Sequence, residues 1–133
     1  MSIANVELLR GAYMAFSKGD VPAVVAAMAP KIVWNEAENF PYADHNPYVG
    51  PDAIVSGVFA RLATEWESFS VNVEEMLDAG DKIVARGRYT GTYKATGKTI
   101  NQQFAHFWKV VDGKLASFDQ YTDTLQTARA MGK

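Results

Sequence analysis

The sequence FAHFWKVVDGKLASFDQY, residues 104–121, predicts two apolar β-strands joined by a tight turn at Asp112-Gly113. Aromatic and aliphatic residues dominate both sides of the turn, as expected for strands that bury one face. His106 and Asp119 interrupt this apolar pattern, one in each strand. Whether these two side chains share a face decides whether the hairpin carries a chemical site or only core residues.

The turn type sets the register of this hairpin. A two-residue type I′ turn places His106 directly opposite Asp119, where the two would form a dyad. A three-residue loop, with Gly113 as a left-handed bulge residue, shifts the pairing by one residue. His106 then faces Phe118, shares its face with Gln120 and is separated from Asp119. The residues alone leave both registers open.

Helical periodicity precedes strand periodicity along the chain. Apolar residues at spacings of three and four predict three helices, which begin near Val6, Asp20 and Pro51. The predicted strands are residues 31–35, 69–78, 82–93, 99–111 and 114–122, with a bulge near Glu75. Helices followed by a meander of antiparallel strands predict an α+β fold. In this fold the helices pack on one face of a curved sheet and leave a cavity between the two layers.

The composition is that of one globular domain, residues 1–133, with 48% hydrophobic and 21% charged residues. A net charge of -2 gives no broad attraction, so neither nucleic acid nor membrane is an expected partner. Without Cys, and with two His, no metal or other cofactor is expected. Glu7 and Arg10 within the N-terminal apolar pattern argue against a signal peptide or membrane span, and a cytoplasmic location is expected.

Three segments carry a family resemblance: YMAFSKGDVPAVVAAMAPKIVWNE, YVGPDAI and FAHFWKVVDGKLASFDQYTD. Together they resemble the nuclear transport factor two-like superfamily, in particular its SnoaL-like and ketosteroid isomerase-related branch, over nearly the whole chain. The resemblance implies a cone-shaped α+β barrel of the cystatin-like type, with three N-terminal helices packed on a curved antiparallel sheet. This superfamily includes isomerases, cyclases, hydrolases, dehydratases and non-catalytic proteins, so the fold leaves the function open.

The resemblance implies two catalytic residues. Ketosteroid isomerases carry their general base, a carboxylate, on the strand after the second helix, where this chain has Glu36. Burial against Trp34 and the helices would raise the pKa of this carboxyl toward the working pH; the alternative is a solvated side chain at a strand end. His106 stands near the isomerase Asp that donates a hydrogen bond to the enolate. A neutral His can also donate, but the difference puts the isomerase reaction itself in question, and the alternative is a core His bonded to a neighbour.

Further residues are predicted to line the cavity. Tyr13, on the inner face of the first helix, resembles the tyrosine that completes the oxyanion hole of the isomerases. Gln120 stands where the epoxide-hydrolase relatives have a catalytic acid. It cannot transfer a proton, so that reaction is not expected and Gln120 remains an orienting or ligand-binding group. The other predicted substrate-binding residues, from the helices and from one face of the sheet, are Trp34, Phe59, Phe104, Trp108 and Phe118.

Two arginines suggest a charged feature in the same cavity. Arg86 and Arg88 share one face of their strand, and the epoxide-hydrolase relatives hold an Arg and an Asp at about these inward positions. Two inward cations would need a carboxylate, from Glu36 or from an acidic ligand, because an unpaired buried charge is costly. The alternative is that both side chains reach the sheet edge or a partner subunit and remain solvated.

Three functions are compatible with these residues. The first is an enzyme that removes a proton next to a carbonyl group and stabilises the enolate, which would support isomerisation or aldol-type cyclisation of a small hydrophobic or amphipathic compound. The second is a module that binds such a ligand without turnover. The third is a dimerisation domain. Ala105 and Phe107 make the outer face of the sheet apolar, so a homodimer through the sheet is expected in all three cases.

Overall fold

The computed structural model describes residues 3–133, and every structural statement below refers to this part of the chain. Helices α1 (Ile3–Ser17) and α2 (Val21–Ala26) form a hairpin, in which the Asp20 side chain caps α2. The predicted third helix is continuous but has three parts: α3 (Pro51–Ile54), a π-helical turn (Val55–Phe59) and α4 (Ala60–Glu65). A short 3₁₀ helix (Pro41–His45) and a C-terminal helix, α5 (Thr124–Ala130), complete the set. None of these described helices is long and apolar enough to cross a membrane.

Six strands form one curved, open sheet in the order β2-β1-β6-β5-β4-β3. They are β1 (Met28–Asn35), β2 (Tyr48–Val49), β3 (Trp66–Asp78), β4 (Lys82–Tyr93), β5 (Thr99–Val111) and β6 (Lys114–Thr122). The predicted α+β class, with helices packed on one face of the sheet, is confirmed. The sheet is mixed, however, because β1 pairs in parallel with β6 after the long connection through β5, whereas every other pair is antiparallel.

The core consists of two clusters of buried side chains. The first joins helices α1 to α3 to the sheet through residues such as Leu9, Ile54 and Trp108. The second surrounds the 3₁₀ helix and includes Tyr42 and Tyr89. Because α1 and the third helix pack on the inner face of the sheet, the residues that project inward from the central strands meet between the two clusters.

The turn of the β5–β6 hairpin is the two-residue type. Asp112 and Gly113 both have positive φ angles, 50° and 73°, which is characteristic of a type I′ turn. The pairing then skips Ala116, because Val110 lies opposite Leu115 whereas the preceding residue of β5 already pairs with Ser117. This bulge in β6 shifts the register by one residue toward the C-terminus of β6, whereas the predicted three-residue loop would shift it toward the N-terminus.

As a result, His106 lies opposite Gln120, and Asp119 lies opposite Phe107. Neither predicted pairing is right for His106, since the dyad with Asp119 and the contact across from Phe118 both assumed a ladder without a bulge in β6. The face expected from the three-residue loop is nevertheless observed: His106 and Gln120 are buried on the inner side. The Asp119 carboxylate accepts a hydrogen bond from the Asn35 amide on β1 instead.

Candidate functional site

A cavity lies between the helices and the sheet. Residues from α1, the third helix and the inner face of the sheet line it, and most of them are apolar. The polar side chains in this lining, apart from two indoles, are Tyr13, Glu36, Tyr89, His106 and Gln120. Among the described residues, no group of three or more His, Asp or Glu side chains is arranged to hold a metal ion.

Glu36 occupies one side of this cavity. It follows β1 directly and continues the inward alternation of Ile32 and Trp34, so only 4% of the residue is exposed. The Trp34 indole donates a hydrogen bond of 3.3 Å to Glu36 Oε2, and no other side chain within residues 3–133 bonds this carboxyl. Burial raises the pKa of Glu36 to about 8, although the Trp34 bond and the charge of Arg61 act in the opposite direction. At neutral pH the carboxyl is therefore mostly protonated.

The backbone of Glu36 is fixed by Asn46, in the loop that follows the 3₁₀ helix. Asn46 Oδ1 accepts from the Glu36 N–H at 3.0 Å, and Asn46 Nδ2 donates to the Glu36 carbonyl at 2.8 Å. One side chain thus satisfies both backbone groups of a residue that lies just beyond the end of a strand. This pairing holds the carboxyl at the cavity without using any of its own acceptor sites.

His106 is buried on the inner face of β5, where two tyrosines flank its ring. Tyr13 Oη lies 2.6 Å from Nδ1, and Tyr89 Oη forms a short hydrogen bond with Nε2. Burial lowers the pKa of His106 to about 3, so the imidazole is neutral at physiological pH. Because each ring nitrogen is bonded to a tyrosine hydroxyl, no imidazole nitrogen is left to contact a ligand directly.

Two further donors complete what we call the buried hydrogen-bond chain: Trp108, Tyr13, His106, Tyr89 and Gln120. Trp108 Nε1 donates to Tyr13 Oη at 2.8 Å, and Gln120 Nε2 donates to Tyr89 Oη at 3.0 Å. The Gln120 amide is oriented by the N–H of Ala37, which donates to Oε1 at 3.0 Å. Burial raises the pKa of both tyrosines above the usual range, so both hydroxyls keep their hydrogens.

Tyr89 was not among the residues predicted for the site. The alternation in β4 places it on the same face as Ala85 and Gly87, and this face points inward. The signal that could have revealed it is residue size, because two small residues opposite His106 and Phe104 leave room for large side chains from β5. A Cβ atom on Gly87 would also lie only 1.9 Å from the Asn72 carbonyl oxygen, so the sheet requires glycine there.

The prediction that Arg86 and Arg88 point into the cavity is wrong. Both lie on the outer face of β4, where Arg86 pairs with Glu75 at 2.6 Å and Arg88 Nε donates to the Asn101 amide oxygen at 2.7 Å. The physical reason is the cost of burying two cations in a mostly apolar cavity that offers a single carboxyl. No Arg or Lys side chain of the described chain lines the cavity, so the argument for an acidic ligand no longer holds.

Five aromatic residues were predicted to bind substrate. Four of them line the cavity: Trp34, Phe59, Trp108 and Phe118. Phe104 does not, which corrects its predicted role in substrate binding. Its ring is buried against Tyr89 and His106, with centroid distances of 4.5 Å and 4.2 Å. Because Phe104 belongs to the second core cluster, it supports these two rings from outside the cavity lining.

Comparisons with known proteins agree with this architecture. A family model described as the SnoaL-like domain matches residues 9–118. Patulin synthesis protein F of Aspergillus clavatus is 27% identical over 93 residues, which are 69% of this chain and 46% of that protein. The chain thus spans about half the length of the curated relatives it matches.

Solved structures extend the similarity to almost every residue. An NTF2-like protein from Burkholderia thailandensis E264 is 40% identical, covers 98% of both chains and superposes with a TM-score of 0.91. TerC, co-crystallised with polyporic acid, is 22% identical over 98% of this chain and 99% of its own, with a TM-score of 0.86, and shares the fold. The chain belongs to the SnoaL-like domain family, whose fold is that of the NTF2-like proteins.

Proposed function

We propose that this protein is a small enzyme that removes a proton from a carbon next to a carbonyl group, with Glu36 as the general base. The observation that carries the proposal is that a buried carboxyl of raised pKa and a buried chain of neutral donors face the same apolar cavity. A base works best when its pKa lies near the working pH, and a pKa of about 8 meets that condition.

The enolate oxygen that forms would be stabilised by a tyrosine hydroxyl. His106 was expected to donate to this oxygen itself, but both of its nitrogens are bonded to Tyr13 and Tyr89. We assign His106 the role of positioning these hydroxyls, one of which donates in its place. A preorganised donor in a cavity that excludes water stabilises developing negative charge more strongly than a donor in water.

Two reactions follow from the same enolate. If Glu36 returns its proton to a different carbon of a conjugated system, the double bond moves and the product is an isomer. If the enolate carbon instead attacks a second carbonyl of the same molecule, a carbon–carbon bond closes a ring and the new alkoxide takes the proton. Both reactions balance without an added oxidant or reductant, so Glu36 and the hydroxyls suffice.

The lining of the cavity favours a small, hydrophobic carbonyl compound. Aromatic rings such as Trp34, Phe59 and Phe118 offer flat apolar contacts, and the polar groups that face the cavity are uncharged at neutral pH. The similarity to a patulin synthesis protein supports a role in making a small organic molecule. The co-crystallisation of TerC with polyporic acid likewise supports an organic ligand in this fold.

A second candidate function is binding of the same ligand without turnover. The observation that favours it is the protonated state of Glu36 near neutral pH, since a protonated carboxyl binds a neutral ligand but removes no proton. Proton exchange separates the two functions. In deuterated water, 2-tetralone should exchange its α-protons faster with the protein than without it. The protein-dependent rate should rise about tenfold per pH unit up to about pH 8 and then level off. If the protein does not accelerate exchange at any pH, proton abstraction is contradicted and binding without turnover is the remaining function.

The proposal includes a homodimer formed through the outer face of the sheet. Phe107 and Tyr121 are 43% and 56% exposed there, and their rings contact each other with centroids 5.4 Å apart. Apolar rings exposed side by side on a sheet are typical of a surface that a partner covers. Sedimentation should show a dimer for the natural chain and a monomer for Phe107→Glu. Ala63→Glu, which adds the same charge at an exposed position of α4, on the helical side of the sheet, should remain dimeric; a monomeric natural chain would contradict the proposal.

A further inference from the structure

The buried hydrogen-bond chain holds one more hydrogen than it has bonds. Its bonds join Trp108 to Tyr13, Tyr13 to His106, His106 to Tyr89, and Gln120 to Tyr89, which makes four. The hydrogens that can fill these bonds are the indole N–H, the one amide N–H that Gln120 points at Tyr89, one imidazole N–H and two hydroxyl hydrogens, which makes five; the second amide hydrogen of Gln120 makes no bond within the chain and is not counted. One hydroxyl hydrogen therefore has no partner within the chain.

The protonation states that this count requires follow from burial. The imidazole is neutral because its pKa is about 3, and the pKa values of Tyr13 and Tyr89 are raised, so neither phenol ionises at neutral pH. The two end groups have fixed directions. An indole N–H can only donate, and Gln120 must point its amide hydrogens at Tyr89 because the N–H of Ala37 occupies its oxygen.

The tautomer of His106 decides which tyrosine carries the unpaired hydrogen. If Nε2 is protonated, it donates to Tyr89, Nδ1 accepts from Tyr13, and the Tyr89 hydroxyl hydrogen remains free. If Nδ1 is protonated, both bonds reverse and the hydrogen of Tyr13 remains free. Both hydroxyls belong to residues that line the cavity, so in either case the free hydrogen awaits an acceptor from a ligand.

The position of Glu36 distinguishes the two tyrosines. Gln120 bonds to Tyr89 and to the backbone of Ala37, the neighbour of Glu36, so Tyr89 and Glu36 share one side of the cavity. The charge of Glu36 also acts on Tyr89, where it contributes to the raised pKa. A carbonyl oxygen is two bonds from the α-carbon that loses its proton, so the donor to this oxygen must lie close to the base.

We propose that His106 is held as the Nε2–H tautomer and that the hydrogen bonds run in one direction, from Trp108 through Tyr13 and His106 to Tyr89, whose free hydroxyl hydrogen binds a carbonyl or enolate oxygen of the ligand. The choice of Tyr89 rests on the proposed role of Glu36; the unpaired hydrogen does not. Hydrogen bonds aligned in one direction polarise one another, so the last hydroxyl becomes a stronger donor. The ligand class that fits is one with an oxygen acceptor that carries no hydrogen, such as a ketone.

The tautomer can be measured directly in the natural chain. In a ¹⁵N-labelled sample, long-range ¹H–¹⁵N NMR spectra distinguish a protonated ring nitrogen from an unprotonated one. We expect Nε2 of His106 to be protonated and Nδ1 to be unprotonated near pH 7. A protonated Nδ1 would overturn the assignment to Tyr89. This measurement needs no variant, so it decides the question even where a substitution prevents folding.

Binding of an isosteric pair tests the ligand contact. Acetophenone and α-methylstyrene have nearly the same shape, but only acetophenone has a carbonyl oxygen. Tyr89→Phe should weaken acetophenone binding about three- to tenfold and leave α-methylstyrene binding unchanged. Tyr13→Phe is the matched control, because it also removes one hydroxyl bonded to His106, and it should weaken acetophenone binding less. A larger acetophenone-specific loss in Tyr13→Phe would contradict the proposal.

These measurements are independent of turnover. If the protein fails to exchange α-protons while the tautomer and the binding results are as expected, the role of Glu36 as base is wrong and the hydrogen-bond chain stands. If exchange occurs but His106 is the Nδ1–H tautomer, the base stands and the assignment to Tyr89 is wrong.

Discussion

The inner and outer faces of strands β4 and β5 use their polar residues in opposite ways. On the inner face, Tyr89 and His106 are buried, bonded to each other and uncharged. On the outer face, Arg86 and Arg88 are exposed and bonded to side chains of the flanking strands. Tyr89 directly follows Arg88 in the sequence, so two consecutive residues of β4 place a solvated charge on one face and a neutral group in an apolar cavity on the other.

This difference shows which physical effect governs each face. Inside, the loss of hydration dominates: it raises the pKa of Glu36 to about 8 and lowers that of His106 to about 3. Outside, water and salt screen the ion pairs, so each pair contributes little to stability. Proton transfer that depends on shifted pKa values is therefore expected on the inner face. Substitutions of matched residues on the two faces test this expectation.

The largest effect is expected from the two carboxyls Glu36 and Glu75. Glu36→Gln removes the proposed base and should slow α-proton exchange of 2-tetralone at pH 8 by about 10²- to 10⁴-fold. Glu75→Gln, which removes a partner of Arg86 on the outer face, should leave the exchange rate unchanged. Unchanged binding of α-methylstyrene by Glu36→Gln would show that the cavity is intact. If the two variants exchange α-protons at the same rate, the claim that only the inner-face carboxyl acts in the reaction is contradicted.

The next effect is on the pH dependence of stability. The pKa of Glu36 is raised from 4.5 to about 8, so its stabilising contribution is complete below pH 4.5 and is lost as the pH rises toward 8. The pKa of His106 is lowered from 6.5 to about 3, so its contribution is complete above pH 6.5 and is lost as the pH falls. Their opposite slopes cancel between pH 4.5 and 6.5, and from these two groups stability should fall on both sides of that range.

Urea unfolding at a series of pH values isolates the contribution of Glu36. Between pH 4.5 and 8, the free energy of unfolding of the natural chain should fall relative to Glu36→Gln by about 1.4 kcal/mol per pH unit. Glu75→Gln should show no such relative slope. A parallel pH profile for the natural chain and Glu36→Gln would mean that Glu36 titrates as it does in the unfolded chain.

A smaller effect is expected when one polar group is removed from each face. Gln120→Leu leaves the buried N–H of Ala37 without an acceptor and removes a donor from Tyr89, so it should cost about 1–3 kcal/mol of stability. Arg86→Gln removes an exposed ion pair and should change the unfolding midpoint by no more than the error of the measurement. A larger loss for Arg86→Gln than for Gln120→Leu would reverse the comparison.

Sequence periodicity predicts most of the fold, because helices and strands of this length bury regular stripes of apolar residues. It also indicates correctly that Arg86 and Arg88 share a face of β4. Alternation alone cannot tell which of two faces is the inner one. In the sequence ARGRYTG, one face carries two cations and the other carries small residues and Tyr89. Which face points inward depends on two effects: the cost of burying the cations, and the space that the large residues of β5 need beside them.

The register of the last hairpin could not be predicted for a different reason. The turn at Asp112-Gly113 has a clear sequence signal, but the extra residue at Ala116 has none, since no glycine or proline marks it. Its position is set by tertiary packing, which brings Gln120 across from His106 and next to Tyr89. Glu36, by contrast, could be located from the family resemblance, because the resemblance places a carboxylate on the strand after the second helix. The inward alternation of that strand continues into Glu36, which accounts for its burial.

The central claim is that Glu36 is a buried carboxyl whose proton affinity the cavity raises. It is tested most directly by titrating the side-chain carboxyl carbon of Glu36 in a ¹³C-labelled sample by NMR, with Glu36→Gln to assign the signal. The account predicts a pKa of about 8. A pKa near the ordinary value of 4.5 would mean that water reaches the carboxyl freely, and it would contradict the proposed base.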